Sequence, residues 1–283
     1  MSRPGKYDWR GLVLPAARRF VESMATSVTL RQCFYHLVTL GLIVNGRQDY
    51  GNLSAWTTRE RDAGRFPDFI DNTRRIIRPL TFGGPDDAIE WLTNIYRRDR
   101  LEHQPRAIYL GVEKAGLVQQ LQAWFQDDGV AILPLGGWAS QSFRERVRRE
   151  LVVDGRPSTL IYAGDFDPAG VLIGHQFAER AGFDQVVRVG LNIDQVAALP
   201  FNPFPPDKER QTLAPRFIAT YGARLRELGL PELVQYELDA LPPDQLQRIY
   251  ADALARYLDR SELARSIAHE DDDIAGILSR WSA

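Results

Sequence analysis

The run Thr159-Leu160-Ile161-Tyr162-Ala163-Gly164-Asp165-Phe166-Asp167-Pro168-Ala169-Gly170 constrains the fold more than any other stretch. Its apolar beginning reads as a buried strand. Pro168 and Gly170 stop that strand and turn the chain into a helix. Asp165 and Asp167 stand two apart at the strand's end, so alternation sends both side chains the same way. About fifty residues earlier, Ala107-Ile108-Tyr109-Leu110-Gly111-Val112-Glu113-Lys114 makes the same step, with Glu113 closing an apolar strand. From residue 107 the order reads strand (107–112), helix (116–125), strand (130–135), helix (140–151), strand (159–163), helix (170–181), strand (185–189). Alternating β and α units imply a parallel sheet with right-handed crossovers. Sheets of this kind carry their sites beyond the carboxyl ends of the strands. Glu113, Asp165 and Asp167 fall there, as does the turn Leu135-Gly136-Gly137-Trp138. Three carboxylates in that place form a candidate site for a hard cation, Mg²⁺ or Mn²⁺, which takes oxygen ligands. The competing reading is an acidic surface turn, since short D-x-D pairs arise often by chance.

The chain ahead of this frame has a different character. It is mainly helical, with helices expected over 15–23, 28–40 (capped by Thr26-Ser27 and stopped by Gly41) and 50–64. Ile76-Ile77-Arg78-Pro79-Leu80 reads as a wing strand. Three short helices with a β element fit a winged-helix module. Residues 1–84 hold 13 Lys/Arg against 7 Asp/Glu, on a chain whose net charge is -2. A basic front suits nucleic acid; a solvated surface explains the same charges. Gly83-Gly84-Pro85 marks a break, and 85–105 reads as a linker helix. The α/β domain is expected over 106–230. A C-terminal helical extension over 231–283 follows, and 208–228, 242–258 and 261–281 have helical patterns. With 283 residues there is room for two modest domains. No apolar stretch is long enough to cross a bilayer. The first residues lack the apolar core of a signal peptide, and a single cysteine, Cys33, offers no internal disulfide. A cytoplasmic protein is expected.

From Arg106 to Leu199 the pattern resembles the Toprim domain shared by topoisomerases, bacterial primase and several nucleases. The fold expected is therefore an α/β Toprim domain, a parallel sheet flanked by helices, preceded by a mainly α winged-helix domain. The pairing of Val112-Glu113-Lys114 with Gly164-Asp165-Phe166-Asp167-Pro168-Ala169-Gly170 is most similar to the topoisomerase VI A subunit and the meiotic double-strand-break proteins. Gly136-Gly137 and Arg188-Val189-Gly190-Leu191 match that group's glycine turn and its R-x-G-L segment. A haloacid-dehalogenase phosphatase also offers a D-x-D, but on its first strand and with Thr or Val where Ala169 stands here.

The resemblance makes the front readable. Thr29-Leu30-Arg31-Gln32-Cys33-Phe34-Tyr35 is similar to the segment that carries the family's catalytic tyrosine, and Tyr35 matches the nucleophile. Arg31 and Tyr35 are four apart on one helix and share a face, so a guanidinium could hold the phosphate that the phenol oxygen attacks. A phenol titrates near ~10 and needs a positive field or a base to react; no base is evident. Against this, Phe34, Leu37, Val38 and Leu40 make the helix apolar, and Tyr35 then reads as a core residue. Arg31 reads equally as a salt-bridge residue. His36 is a distant candidate for proton transfer. Glu237 and Asp239 form a second acidic pair for which a structural role is favoured. Arg144, Arg146, Arg148 and Arg149 follow DNA backbone or form a solvated face.

The resemblance implies Mg²⁺-dependent cleavage of double-stranded DNA, with Tyr35 and Arg31 catalytic and Glu113, Asp165 and Asp167 holding the metal. It also implies a homodimer in which Tyr35 of one subunit meets the metal site of the other. No ATPase module is present, so strand passage would need a separate ATPase partner. Two other readings stand beside it. One is a Toprim nuclease using metal-activated water, as in Wadjet-type plasmid defence; the other is a non-catalytic DNA-binding protein.

Overall fold

The described residues form a front apolar core, drawn mostly from before residue 70 and joined by Ala240, and a second that lies as two clusters on the two faces of a sheet. The computed structural model describes residues 7–24, 27–70, 78–199, 203 and 212–281.

In the front core, α1 (Leu14–Ser23) buries Leu14, Ala16, Ala17 and Phe20, a spacing that keeps one helical face apolar. α2 (Leu30–Thr39) starts at a capping box: the Thr29 hydroxyl accepts from Gln32 N, and Gln32 Oε1 accepts from Thr29 N. The cap thus lies at Thr29; Ser27 falls outside the helix, and Thr26 lies outside the described residues. Gly41 leaves α2 at φ +67°, a left-handed exit that favours glycine. α3 (Arg47–Asp62) buries Leu53 and ends before Gly64, at φ +69°. The expected wing strand is not seen: residues 78–80 carry no strand, and 76–77 lie outside the described residues. α4 (Pro85–Ile95) follows and stops well short of residue 105, where the linker helix was expected to end.

The second core surrounds a four-stranded parallel sheet of β1 (Ala107–Val112), β2 (Ala131–Pro134), β3 (Ser158–Ala163) and β4 (Gln185–Gly190), in the spatial order β2-β1-β3-β4. β1 and β3 are buried along their whole length, as central strands of a parallel sheet should be. The crossover helices are α5 (Val118–Phe125), α6 (Gln141–Asp154) and α7 (Gly170–Ala181). Alternation divides the strands between two layers. Ile108, Leu110, Val112, Ile161 and Ala163 face α5, whereas Ala107, Tyr109, Leu160 and Tyr162 face α6 and α7. The short α8 (Ile193–Ala197) comes next; then α9 (Ala214–Phe217) runs through a π-helical turn, Ile218–Gly222, directly into α10 (Ala223–Glu227). The helical pattern expected over 208–228 is thus realised from 214 to 227 with a π-helical middle, and 208–211 lie outside the described residues.

The C-terminal segment belongs to this core rather than extending from it. α11 (Pro243–Leu254) adds Leu246, Tyr250, Ala253 and Leu254 to the α5 layer, and the Tyr250 hydroxyl donates to Gly111 O at 2.7 Å. α12 (Arg260–Trp281) packs against α4. The anchor is Glu270, which accepts from Arg100 Nη2 at 2.6 Å, Arg100 Nε at 3.1 Å and Arg98 N at 3.0 Å.

Candidate active site at the sheet's switch point

Strand order reverses between β1 and β3, a switch point of the kind at which α/β sheets open a crevice beyond the strands' carboxyl ends. Glu113 follows β1 there and Asp165 follows β3. Both are buried, and Glu113 Oε2 accepts from Asp165 N at 2.8 Å. Glycines make this approach possible. A methyl at Gly164 or at Gly170 would stand 2.8 Å from Glu113 Oε2, and at Gly170 it would also meet the Asp165 backbone. The glycines of Gly-Asp-Phe-Asp-Pro-Ala-Gly are therefore a cradle for the Glu113 carboxylate.

The loop is held from behind by Arg188 on β4. Its guanidinium donates to Asp165 O at 2.7 Å, Gly170 O at 2.8 Å and Gly164 O at 2.9 Å, and lies over the Tyr162 ring. Phe166 forms an antiparallel bridge with Tyr236, which brings the segment 235–240 alongside. Leu238 N donates to Asp165 Oδ1 at 2.8 Å. Lys114 Nζ then bridges Asp165 Oδ2 and Glu237 Oε2, each at 2.6 Å, and Arg31 Nη1 reaches the same Glu237 oxygen at 2.9 Å. The second acidic pair thus joins the site, with Asp239 buried nearby. What brings it there is a tertiary bridge to Phe166, for which the local sequence carries no signal.

Charge is concentrated here. Burial, and next the Glu113 carboxylate, push Asp165 up to about 7, against the pull of Lys114. Burial also raises Asp239. Burial lowers the pKa of Lys114, but Asp165 and Glu237 outweigh it and hold the ammonium well above the ordinary lysine range.

Glu113 and Asp165 are brought together, whereas Asp167 is turned to the start of α7, where its Oδ1 accepts from Ala169 N and Gly170 N. Among the described residues, no group of three or more His, Cys, Asp or Glu side chains stands in metal-holding geometry. The carboxylates around Asp165 offer oxygen donors, the kind a hard cation takes, and the cation that stands between Asp165 and Glu237 in this structure is the Lys114 ammonium.

Tyr35 lies in the front core, 3 % exposed. Burial raises its pKa far above the phenol range; Glu237, Asp239 and Asp165 raise it further, and Arg31 opposes them. A cavity of about 110 Å³ lined by Arg31, Phe34, Tyr35, Gly46, Arg47 and Tyr50 reaches it. Its helix is docked on the acidic site of its own chain, through Arg31–Glu237 and through Gln32 Nε2, which donates to Gln120 Oε1 at 2.9 Å. His36 stacks on Phe20, and burial lowers its pKa. On α6, Arg148 pairs with Glu145, Arg149 donates to Glu145 O and Arg146 lies over Phe143.

The chain matches no family model, no curated protein and no solved structure.

Proposed function

We propose that this protein is a divalent-cation-dependent enzyme that cleaves DNA, with its chemistry at the β1/β3 switch point. One observation carries the reading. Two buried carboxylates, Glu113 and Asp165, come together from the ends of the two central parallel strands, and Lys114 bridges Asp165 to a third carboxylate, Glu237. The α/β part is read as Toprim-like and the front as a winged-helix-like DNA-binding module. Glu113 and Asp165 would hold Mg²⁺ or Mn²⁺, with Glu237 able to join only after Lys114 moves aside, and Asp167 would fix the start of α7. A cation bound there supplies charge neutralisation at a phosphate and a lowered pKa for water. Glu113 sets the position of the Asp165 backbone, and Lys114, once displaced from Asp165, is placed to meet a phosphate oxygen.

The nucleophile this site favours is water. A phenol that is 3 % exposed, its pKa raised first by burial and then by the charge of Glu237, Asp239 and Asp165 against Arg31, is a poor attacking group. Tyr35 stays as the second reading because Arg31 shares its face and a cavity opens onto it. The substrate proposed is double-stranded DNA, cut by a cytoplasmic homodimer, and any strand passage would draw on a separate ATPase partner.

Incubation with supercoiled plasmid and Mn²⁺, followed by denaturation with and without protease, tests the proposal. Wild type and Tyr35→Phe should both cut without leaving protein on the DNA, and Asp165→Ala should not cut. Protein retained on DNA ends would move the assignment to Tyr35. Equal cutting by Asp165→Ala would remove the site from the chemistry.

A further inference from the structure

Away from the acidic crevice, the front module carries a surface in which arginines and aromatic rings alternate. Trp9 stacks on Trp56, with ring centroids 6.2 Å apart and planes at 14°. Arg10 and Arg59 each place a guanidinium 5.7 Å from the Trp56 centroid, and Arg61 lies 5.3 Å from that of Phe69. Arg10 also lines an adjoining cavity of about 570 Å³ with Arg18, Arg65, Glu60 and Phe66. Arg65 meets both carboxylate oxygens of Glu60 at 2.7 and 3.0 Å and Arg18 meets Glu22 at 2.7 Å, so two of the cavity's three arginines already carry carboxylate partners and Arg10 is the guanidinium on which anion binding there would turn.

We infer that this surface binds single-stranded nucleic acid, with backbone phosphate in the arginine-lined cavity and bases against the tryptophan stack. Arginine contacts phosphate bidentately, and aromatic faces take any unstacked base. A duplex keeps its base faces covered and would use the arginines alone. The choice of nucleic acid over other phosphate ligands rests on the DNA-cleavage reading. The surface then gives that enzyme a strand with exposed bases, such as a frayed end or a flap, as the part of the substrate it grips.

The test is fluorescence anisotropy of the full chain in EDTA, with a labelled twelve-nucleotide strand and the duplex of the same sequence. The single strand should bind roughly tenfold tighter than the duplex, with quenching of tryptophan emission. Arg10→Ala/Arg59→Ala, both at exposed positions, should weaken that binding roughly tenfold at unchanged circular dichroism. The double variant should also flatten the slope of log affinity against log salt, by about 0.7 for each phosphate it no longer neutralises. Duplex binding as tight as single-strand binding, or a double variant that binds like wild type, overturns the inference. Asp165→Ala should bind the strand normally, so loss of cutting and loss of grip are scored separately.

Discussion

At the scale of single residues, the site depends on how little space surrounds the Glu113 carboxylate. Gly170→Ala puts a methyl against both Glu113 Oε2 and the Asp165 backbone, and neither belongs to a flexible chain end. Overpacking of this kind costs about 1–3 kcal/mol. The expected outcome is a lower urea midpoint at unchanged m-value, together with a loss of cation-dependent cutting larger than the stability loss explains. Tyr35→Phe is predicted to act in the opposite way. It removes one hydroxyl from a packed core, worth about 1 kcal/mol, and should leave plasmid cutting within about threefold, which is less than about 1 kcal/mol in barrier. Glu113, Asp165 and Tyr35 could be placed on their elements from sequence, because strand ends and helix spacing are local properties. That Tyr35 faces inward was one of the two readings its apolar helix left open, whereas the bonds from Asp167 to the start of α7 could not be read there. Those outcomes depend on which surfaces meet.

At the scale of elements, the clearest energetic test is the attachment of α12. Arg100 and Glu270 are both nearly inaccessible, 8 % and 2 % exposed, so removing one partner and stranding the other costs far more than breaking a pair on the surface. Arg100→Met leaves a buried carboxylate without its guanidinium and should cost about 3–5 kcal/mol in a urea melt. The pH dependence follows from the direction in which Glu270 is shifted. Burial pushes Glu270 up, but Arg100 and the Arg98 amide outweigh it and hold the carboxyl below its ordinary value. A depressed acid stabilises the fold above its unfolded pKa, and that contribution is lost as pH falls through the folded value. Wild type should therefore lose stability on acidification below about pH 4.3, the unperturbed glutamate value. Arg100→Met should show a weaker loss over the same range. β1 and α7 match their sequence limits because both faces of one and the start of the other are fixed by local pattern. α9 and α10 follow one helical pattern and form one continuous stretch, but the five-residue π-helical turn between them, Ile218–Gly222, has no signal in the sequence.

At the scale of the whole molecule, two cores meet across a chain of charges, Arg31–Glu237–Lys114–Asp165, backed by a buried glutamine pair. Magnitudes separate the two. Arg31 is half-exposed, and its pair with Glu237 should contribute under about 1 kcal/mol. Gln32 and Gln120 are each 2 % exposed, and losing Gln120 takes the acceptor from Gln32 Nε2 and the donor from Ser27 O, leaving Gln32 Oε1 its bond from Thr29 N, at about 1–3 kcal/mol. Gln120→Ala should accordingly lower the urea midpoint more than Arg31→Ala does. The amide link is invisible in sequence, since neither glutamine belongs to a motif and they stand 88 positions apart. The docking matters for function because it brings the front module onto the acidic crevice of the same chain.

The central claim is that Glu113 and Asp165 hold a divalent cation, and calorimetric titration of Mn²⁺ into the metal-stripped protein tests it most directly. One ion per chain should bind to wild type, and binding should disappear in Asp165→Ala. No binding to wild type, or equal binding to both proteins, would contradict it.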